Sequence, residues 1–173
     1  MGIIMKTKLY LFLIATVVVL SCAISCGTTH TAAQKAEIAN EVRQKINNLE
    51  FTFKANYAYP TSFRSINLTP GYEVKVSSDT IESYLPYFGR AYTAPIDPMD
   101  TGIKFKTTKF DYEVIQGKKK GNWIIDIRVK DTGNDTALFF DIWENGTARL
   151  SVTDSKRQSI SFTGDIELDE KDK

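Results

Sequence analysis

The stretch TALFFDIWENGTARLSVT, residues 136–153, contains the pattern that decides the fold. Its first half is rich in the aromatic and branched residues that strands favour, and its second half alternates apolar with polar side chains. Asn145 and Gly146 stand between the halves, and this pair is typical of a tight hairpin turn. The stretch therefore predicts two antiparallel strands, and we expect a type I′ turn with positive φ at both Asn145 and Gly146.

The first of these strands is apolar on both of its faces. A strand of this kind needs cover on both sides. We therefore expect it to lie between the core of the sheet and a second layer, for which an N-terminal helix is the candidate.

Working outward, the same period-two alternation predicts about eight strands in all. The segment that starts at Phe51 is expected to bury Phe51, Phe53, Ala55, Tyr57 and Tyr59 on one face. Linkers such as GKKKG (117–121) and DTGND (131–135) are too short for a parallel crossover, which needs a dozen or more residues. The predicted strands lie at 51–59, 72–76, 103–107, 110–115, 123–130, 137–144, 147–153 and 159–168.

This pattern predicts a mainly β fold, an antiparallel meander at 51–168 followed by a polar tail at 169–173. The meander would close as a barrel or fold over as a sandwich, and the alternation of side chains does not distinguish the two.

An amphipathic helix is predicted ahead of the strands, within the tether-and-helix segment 27–50. Ile38, Val42, Ile46 and Leu49 recur at intervals of four and three, which places them on one helix face. Thr31 and the Gln three residues later have the spacing of a capping box, so the helix is expected to begin there. We expect the apolar face to pack on the domain's own core, with binding to a partner as the alternative.

The first 26 residues resemble a bacterial lipoprotein signal peptide. Lys6 and Lys8 precede an apolar run, residues 9–20, that is too short for a transmembrane helix, which needs roughly 20 residues. Cys22 and Cys26 follow, each after a serine, as in a lipobox whose cysteine is acylated. We favour Cys26 as the lipidated residue because acylation of Cys22 would leave Cys26 as an odd thiol in an oxidising space; Cys22 stays the alternative.

Cleavage in this segment would leave 147 residues beyond the acylated Cys26, which is the size of one domain. It would take away two of the 22 basic residues and none of the 21 acidic ones, so the net charge becomes 20 minus 21, or −1. A near-neutral chain with no long basic run releases few counterions from a phosphate backbone. Nucleic acid is therefore excluded as an expected partner.

Five further stretches resemble the hallmark segments of a Bacteroidetes lipoprotein family known as domain of unknown function 4251. They are RSINLT (64–69), SYLPYFGRAYTAP (83–95), GIKF (102–105), ENGTARLSV (144–152) and RQSISFTG (157–164). The resemblance implies a secreted lipoprotein, favours Cys26 as the acylated cysteine, and supplies no catalytic residues.

Side chains that commonly perform catalysis are scarce in the sequence. His30 is the single histidine, so neither a serine–histidine–aspartate triad nor a multi-histidine metal site can form. Asp-Thr-Gly occurs twice, starting at Asp100 and at Asp131, and resembles the loop of retroviral-type aspartic proteases. We interpret both copies as surface turns because Asp131 is followed by more turn-forming residues. No catalytic residue, metal or cofactor is predicted.

The aromatic segment 83–95 is the candidate binding region. Its prolines exclude it from a central strand, so we expect an irregular loop. The loop would plug one end of the barrel with its rings, or rim a ligand pocket in which Arg90 anchors the ligand, and we favour the plug. The ligand-binding residues of the pocket hypothesis are Tyr84, Tyr87, Phe88, Arg90 and Tyr92.

Together these features predict a non-enzymatic envelope lipoprotein, held by a palmitate-type anchor on the outer membrane and facing the periplasm. Its β domain would bind a small apolar or anionic ligand, or another envelope protein. A hydrolase that uses carboxylates is the alternative, and it would require two carboxylates that converge in a cleft.

Overall fold

One antiparallel sheet of ten strands, preceded by a single helix, curls into a nearly closed barrel. The computed structural model describes residues 31–92, 102–131, 133 and 135–169. The helix and strands, in chain order, are α1 (Ala32–Asn47), β1 (Phe51–Pro60), β2 (Ile66–Asn67), β3 (Glu73–Val76), β4 (Ile81–Leu85), β5 (Ile103–Thr107), β6 (Phe110–Gln116), β7 (Asn122–Val129), β8 (Thr136–Trp143), β9 (Thr147–Asp154) and β10 (Arg157–Ile166). The prediction of a mainly β fold after one helix is confirmed, and of barrel and sandwich it is the barrel that forms.

Neighbouring strands follow the order β5-β4-β3-β1-β10-β9-β8-β7-β6, and β2 pairs with β1 beside this path. The predicted meander is present as β6 to β10, where each strand pairs with the next. The barrel is completed by β1, which pairs with β10 on one side and with β3 and β2 on the other. The two ends of the path, β5 and β6, do not pair with each other within the described residues.

Two strands, β2 and β4, are absent from the sequence prediction. Strand β4 includes Ser83, Tyr84 and Leu85, so the prediction of an irregular loop is wrong for these three residues. Ser83 occupies a buried position of β4 and donates a hydrogen bond to the carbonyl of Ile103 at 2.9 Å. A hydroxyl in the buried row hides the alternation that would otherwise indicate a strand.

A β-bulge divides β1 into two parts. The pairing with β10 shifts between Ala55 and Tyr57, so Asn56 is the extra residue. An extra residue reverses which face the following side chains occupy. Tyr57 and Tyr59 are therefore 45% and 40% exposed, while Ala58 is fully buried. The prediction that both tyrosines lie on the buried face was wrong for this reason.

The β8–β9 hairpin has a different turn from the one predicted. Gly146 has φ +86°, but Asn145 is not among the described residues with positive φ, which excludes type I′. The Gly146 N–H donates to the carbonyl of Trp143, and the Asn145 side chain accepts from the Thr147 N–H. The loop is a three-residue connection that ends in a left-handed glycine, another common hairpin geometry.

The interior of the barrel is filled by apolar side chains from opposite walls. Phe140 of β8 makes edge contacts with Phe51 and Phe53 of β1, with ring centroids 5.4 and 5.8 Å apart. The inward row of β8 is fully buried, whereas the outward residues Phe139 and Trp143 are half-buried. The predicted second layer over this outward face is not found among the described residues.

Helix α1 packs on the barrel's own core. Val42, Ile46 and Leu49 are almost completely buried and belong to the same cluster as the interior phenylalanines, so the predicted apolar face is confirmed. The helix begins directly after Thr31, as expected. At its other end Leu49 adopts φ +51°, and the Glu50 N–H bonds to the carbonyl of Lys45, as in a Schellman motif.

The close approach of β1 and β10 at the bulge predicts that position 164 requires glycine. A Cβ added at Gly164 would lie 1.8 Å from the Lys54 carbonyl oxygen, which is backbone and cannot rotate away. We expect Gly164→Ala to lower the free energy of unfolding by at least about 2 kcal/mol. Chemical denaturation measures this loss. As a control, Thr163→Ala should cost about 1 kcal/mol or less, and equal losses for the two variants would contradict the close approach.

The hairpin geometry predicts that a substitution at Gly146 affects stability through the backbone φ angle more than through the size of the new side chain. The nearest atoms to an added Cβ are 3.9 Å away, so there is space for a side chain, but φ is +86°. We expect Gly146→Val to destabilise the protein by about 1–3 kcal/mol. Gly146→Asn should cost less, because asparagine tolerates left-handed backbone. Thermal unfolding of both variants tests this, and identical midpoints would show that φ is not what matters.

Candidate functional site

An open apolar cleft of about 340 Å³ lies where the chain leaves β1 and β4. One wall comes from the turn after β1 and the other from the segment after β4. Gln158, near the start of β10, lies between them. The residues that line the cleft are Ser62, Phe63, Ile66, Phe88, Gly89, Arg90 and Gln158.

The start of β10 fixes both walls of the cleft in place. On one side Gln158 exchanges side-chain hydrogen bonds with Ser62, with Nε2 donating to Oγ at 3.0 Å. On the other side the Gln158 N–H donates to the carbonyl of Arg90 at 2.9 Å. Thr61 adds a bond from its hydroxyl to the Ser159 carbonyl at 2.6 Å. The walls are therefore positioned by backbone and short side chains, which gives the cleft a defined shape.

Tyr87 supports the wall of the cleft that is formed by the segment after β4. Its hydroxyl contacts the carbonyls of Arg90 and Gln158 at 2.8 and 2.9 Å, and its ring lies 5.4 Å from the Arg157 guanidinium. Burial raises the pKa of the Tyr87 phenol above its ordinary value, although the hydrogen bond to Gln158 acts in the opposite direction. A neutral phenol that donates to backbone carbonyls is a structural support for the loop.

The cleft combines exposed aromatic rings with positive charge. Phe63 and Phe88 are 66% and 36% exposed, which is high for phenylalanine. Arg90 lines the cleft, and the guanidinium of Arg64 lies 6.0 Å from the Phe63 ring. Neither arginine forms an ion pair with any carboxylate in the described part of the chain. The cleft therefore offers an apolar floor with one cation, Arg90, in its lining, and a second cation, Arg64, lies beside the Phe63 ring.

The structure brings together only some of the residues predicted for ligand binding. Phe88 and Arg90 line the cleft, and Tyr87 supports it. Tyr84 lies elsewhere, on β4, where it stacks on Tyr72 and contacts the Lys104 ammonium. Tyr92 is 69% exposed and does not line the cleft. The favoured plug expects buried rings whose hydroxyls bond to the loop backbone. The half-buried Tyr87 has these features, whereas the Phe88 ring is 36% exposed at the cleft.

The opposite wall was missed at the sequence level. Phe63, Ile66 and Gln158 are distant from Phe88 in the chain. They come together because β10 pairs with β1 on one side and bridges to the segment after β4 at Ala91. A signal was present in RSINLT and RQSISFTG, two of the stretches that carry the family resemblance. Each of them contributes one residue to the lining.

The residues considered for carboxylate chemistry are only partly described. Asp131 accepts a hydrogen bond from the hydroxyl of Thr107 at 2.6 Å, and this bond joins the end of β5 to the loop after β7. Asp100, His30, Cys22 and Cys26 lie outside the described residues. Within the described ranges, no three side chains that favour metals are grouped together.

Another hollow is larger but less suited to a ligand. It measures about 670 Å³ on the outer face of the barrel, and Asp111 and Lys130 line it. These two residues form an ion pair at 2.5 Å, so they neutralise each other. Because ligand pockets are lined mostly by apolar side chains with a few polar groups that orient the ligand, the cleft of about 340 Å³ is the candidate.

The comparisons with known proteins agree with the fold. A crystal structure of a DUF4251 family protein from Bacteroides eggerthii superimposes with a TM-score of 0.56 at 12% identity, covering 77% of this chain and 91% of that one. At this identity the similarity shows the fold alone. No curated protein matches the sequence significantly. The profile of the family described as domain of unknown function (DUF4251) matches residues 33–166, most of the chain. The chain therefore belongs to the DUF4251 family.

Proposed function

We propose that this protein is a non-enzymatic binding module whose apolar cleft takes a small ligand with an apolar body and an anionic group. The observation that carries the proposal is the pairing of exposed Phe63 and Phe88 with Arg64 and Arg90, which have no carboxylate partner in the described chain. Exposed phenylalanine rings gain free energy when an apolar group covers them, at about 25 cal/mol per Å². Guanidinium groups bind carboxylates and phosphates through paired hydrogen bonds.

The size and rigidity of the cleft support a small ligand. A volume of about 340 Å³ falls near the lower end of ligand pockets, which measure roughly 300–1,000 Å³. Because β10 holds both walls, little conformational entropy would be lost on binding. The alternative of a hydrolase has no specific observation in its favour, since Asp131 is engaged by Thr107.

We further propose that the module is tethered to the outer membrane by a lipid on Cys26 and faces the periplasm. Support comes from the sequence alone: a basic start, a short apolar run and a cysteine after serine. Along the described ranges, no helix is both long and apolar enough to cross a bilayer. The partner at this end of the chain would be the membrane itself.

Ligand binding is tested with three probes that share one alkyl chain: decanoate, decanol and decyltrimethylammonium. Calorimetry on the full-length protein should show that decanoate binds best. Arg90→Ala should weaken decanoate roughly tenfold and bring it close to decanol, since a hydrogen bond to a charged group contributes about 1.5–3 kcal/mol. Phe88→Ala should weaken the binding of all three probes.

The matched control is Arg43→Ala, an exposed arginine on α1, which should leave the binding of every probe unchanged. The free energy of unfolding of Arg90→Ala, Phe88→Ala and Arg43→Ala should each lie within about 1 kcal/mol of the parent's, because the replaced side chains are exposed. Equal affinity for the three head groups, or decanoate binding that survives Arg90→Ala, would contradict the proposal.

The anchor is tested by metabolic labelling with a palmitate analogue and by membrane fractionation. Cys26→Ala should lose both the label and the membrane association, whereas Cys22→Ala should keep both. The reverse result would place the acylated residue at Cys22. If the parent protein takes up no label at either cysteine, the proposal of a lipid anchor is contradicted.

A further inference from the structure

Strand β6 is an edge of the barrel that is exposed on both of its faces. It pairs with β7 over seven consecutive residues without a bulge, and its other side has no strand partner within the described residues. Apart from half-buried Phe110, every residue of β6 is exposed. An edge of this length is a template for another strand.

The hydrogen bonds at the ends of the β6–β7 pair show which backbone groups are free. The Gly117 N–H donates to the Asn122 carbonyl, and the Lys130 N–H donates to the Lys109 carbonyl. Because hydrogen-bonded and non-hydrogen-bonded pairs alternate in an antiparallel ladder, the odd-numbered residues of β6 bond to β7. The N–H and C=O groups of Tyr112 and Val114 therefore point towards the open edge.

The two edges of the sheet differ in how they are protected. Natural edges are often short and carry lysine, proline or a bulge. Strand β5 follows this rule, since it has five residues, among them Lys104 and Lys106. Strand β6 has seven residues, FDYEVIQ, with no lysine, proline or glycine. Its charged residues, Asp111 and Glu113, are both acidic, so they oppose pairing with an acidic strand but not with a basic one.

Apolar side chains at this edge are left partly in water. Tyr112 and Val114 are 51% and 39% exposed, although their cross-strand neighbours Ile127 and Ile125 are fully buried. The side chains lie on the same face as the buried Ile127 and Ile125, and no strand of the described part of the chain covers them from the open side. One added strand with apolar residues on its inward face would bury both.

The outward face of β6 carries a charge that lacks compensation. Glu113 lies directly opposite Asp126 of β7, and like charges opposite each other are destabilising. Glu113 has no ion pair among the described residues, and Asp126 Oδ1 is buried without a hydrogen-bond partner. The Arg128 guanidinium, at 3.2 Å, reaches only the other oxygen of Asp126. A cation opposite Glu113 on the open side would relieve this repulsion.

We propose that β6 accepts an extended segment of another protein as an added antiparallel strand, with lysine or arginine opposite Glu113 and apolar residues beside Tyr112 and Val114. Since Glu113 bonds to β7, it would form a non-hydrogen-bonded pair with the guest residue. Side chains approach closest in such pairs, at a Cα separation of about 4.5 Å. The apolar neighbours would lie in the hydrogen-bonded pairs and complete the barrel interior.

A second copy of β6 fits this edge less well. Antiparallel self-pairing centred on residue 113 places Glu113 against itself, and pairing centred on residue 112 places Asp111 against Glu113. Pairing centred on residue 114 leaves Glu113 opposite Ile115. None of the three registers supplies a cation, so a basic guest from another protein is the better complement.

The test uses a synthetic peptide that alternates valine with lysine over the length of β6, labelled for fluorescence anisotropy with the full-length protein. Two comparison peptides are a valine–glutamate version and a version of the same composition with its lysines grouped. The alternating lysine peptide should bind roughly tenfold or more tightly than either. Glu113→Lys should invert the preference between lysine and glutamate.

Proline at position 114 tests the edge itself, because it removes one outward N–H without touching the β7 ladder. Val114→Pro should abolish peptide binding, while Val114→Ala keeps most of it. Ile115→Pro, which breaks a ladder bond, should lower the melting temperature far more than Val114→Pro. Two results with the proline variants would overturn the proposal: equal loss of stability in Val114→Pro and Ile115→Pro, or unchanged peptide binding in Val114→Pro. It would also be overturned by equal binding of all three peptides, or by dimers in sedimentation that depend on β6.

Discussion

The curvature of the sheet depends on a two-residue connection between its two ends. Strand β5 ends at Thr107 and β6 begins at Phe110, yet they stand at opposite ends of a path of nine strands. Eight spacings of about 4.8 Å would separate the ends of a flat sheet by about 38 Å. The connection spans three Cα steps, or at most about 11 Å. The sheet must therefore curl until its ends meet at this corner, where buried Thr107 bonds to Asp131 and to the Lys109 N–H.

The same corner leaves the barrel open. Strands β5 and β6 are joined by two residues but do not pair, so within the described residues a seam runs between them and exposes the inward side of β6. The seam and the aromatic cleft are separate features. The cleft depends on β10, which holds the segments after β1 and β4, whereas the seam depends on the corner. The proposed binding of a small ligand in the cleft and the proposed addition of a strand at the β6 edge therefore rest on separate features, and each proposal can fail without the other.

Local patterns predicted much of the fold, and long-range contacts account for the rest. The meander and the face of α1 were predictable because alternation and the spacing of Val42 and Ile46 are local signals. The inversion at Tyr57 was not, since the bulge arises where Gly164 of another strand approaches Lys54. The segment around Phe88 was identified as a binding candidate from its composition. Phe63, on the opposite wall of the cleft, could not be identified from local composition. The pairing of β1 with β10 that places this wall joins residues about a hundred positions apart in the chain.

The open seam is tested most directly by amide hydrogen exchange along β6, resolved residue by residue by NMR. The account predicts alternation: the amides of Tyr112 and Val114 exchange close to the rate of free peptide, while those of Glu113 and Ile115 are protected by their bonds to β7. Protection of all four amides to the same degree would show that the edge is covered. This result would contradict the account in which β5 and β6 are joined by a short connection but leave the edge of β6 open.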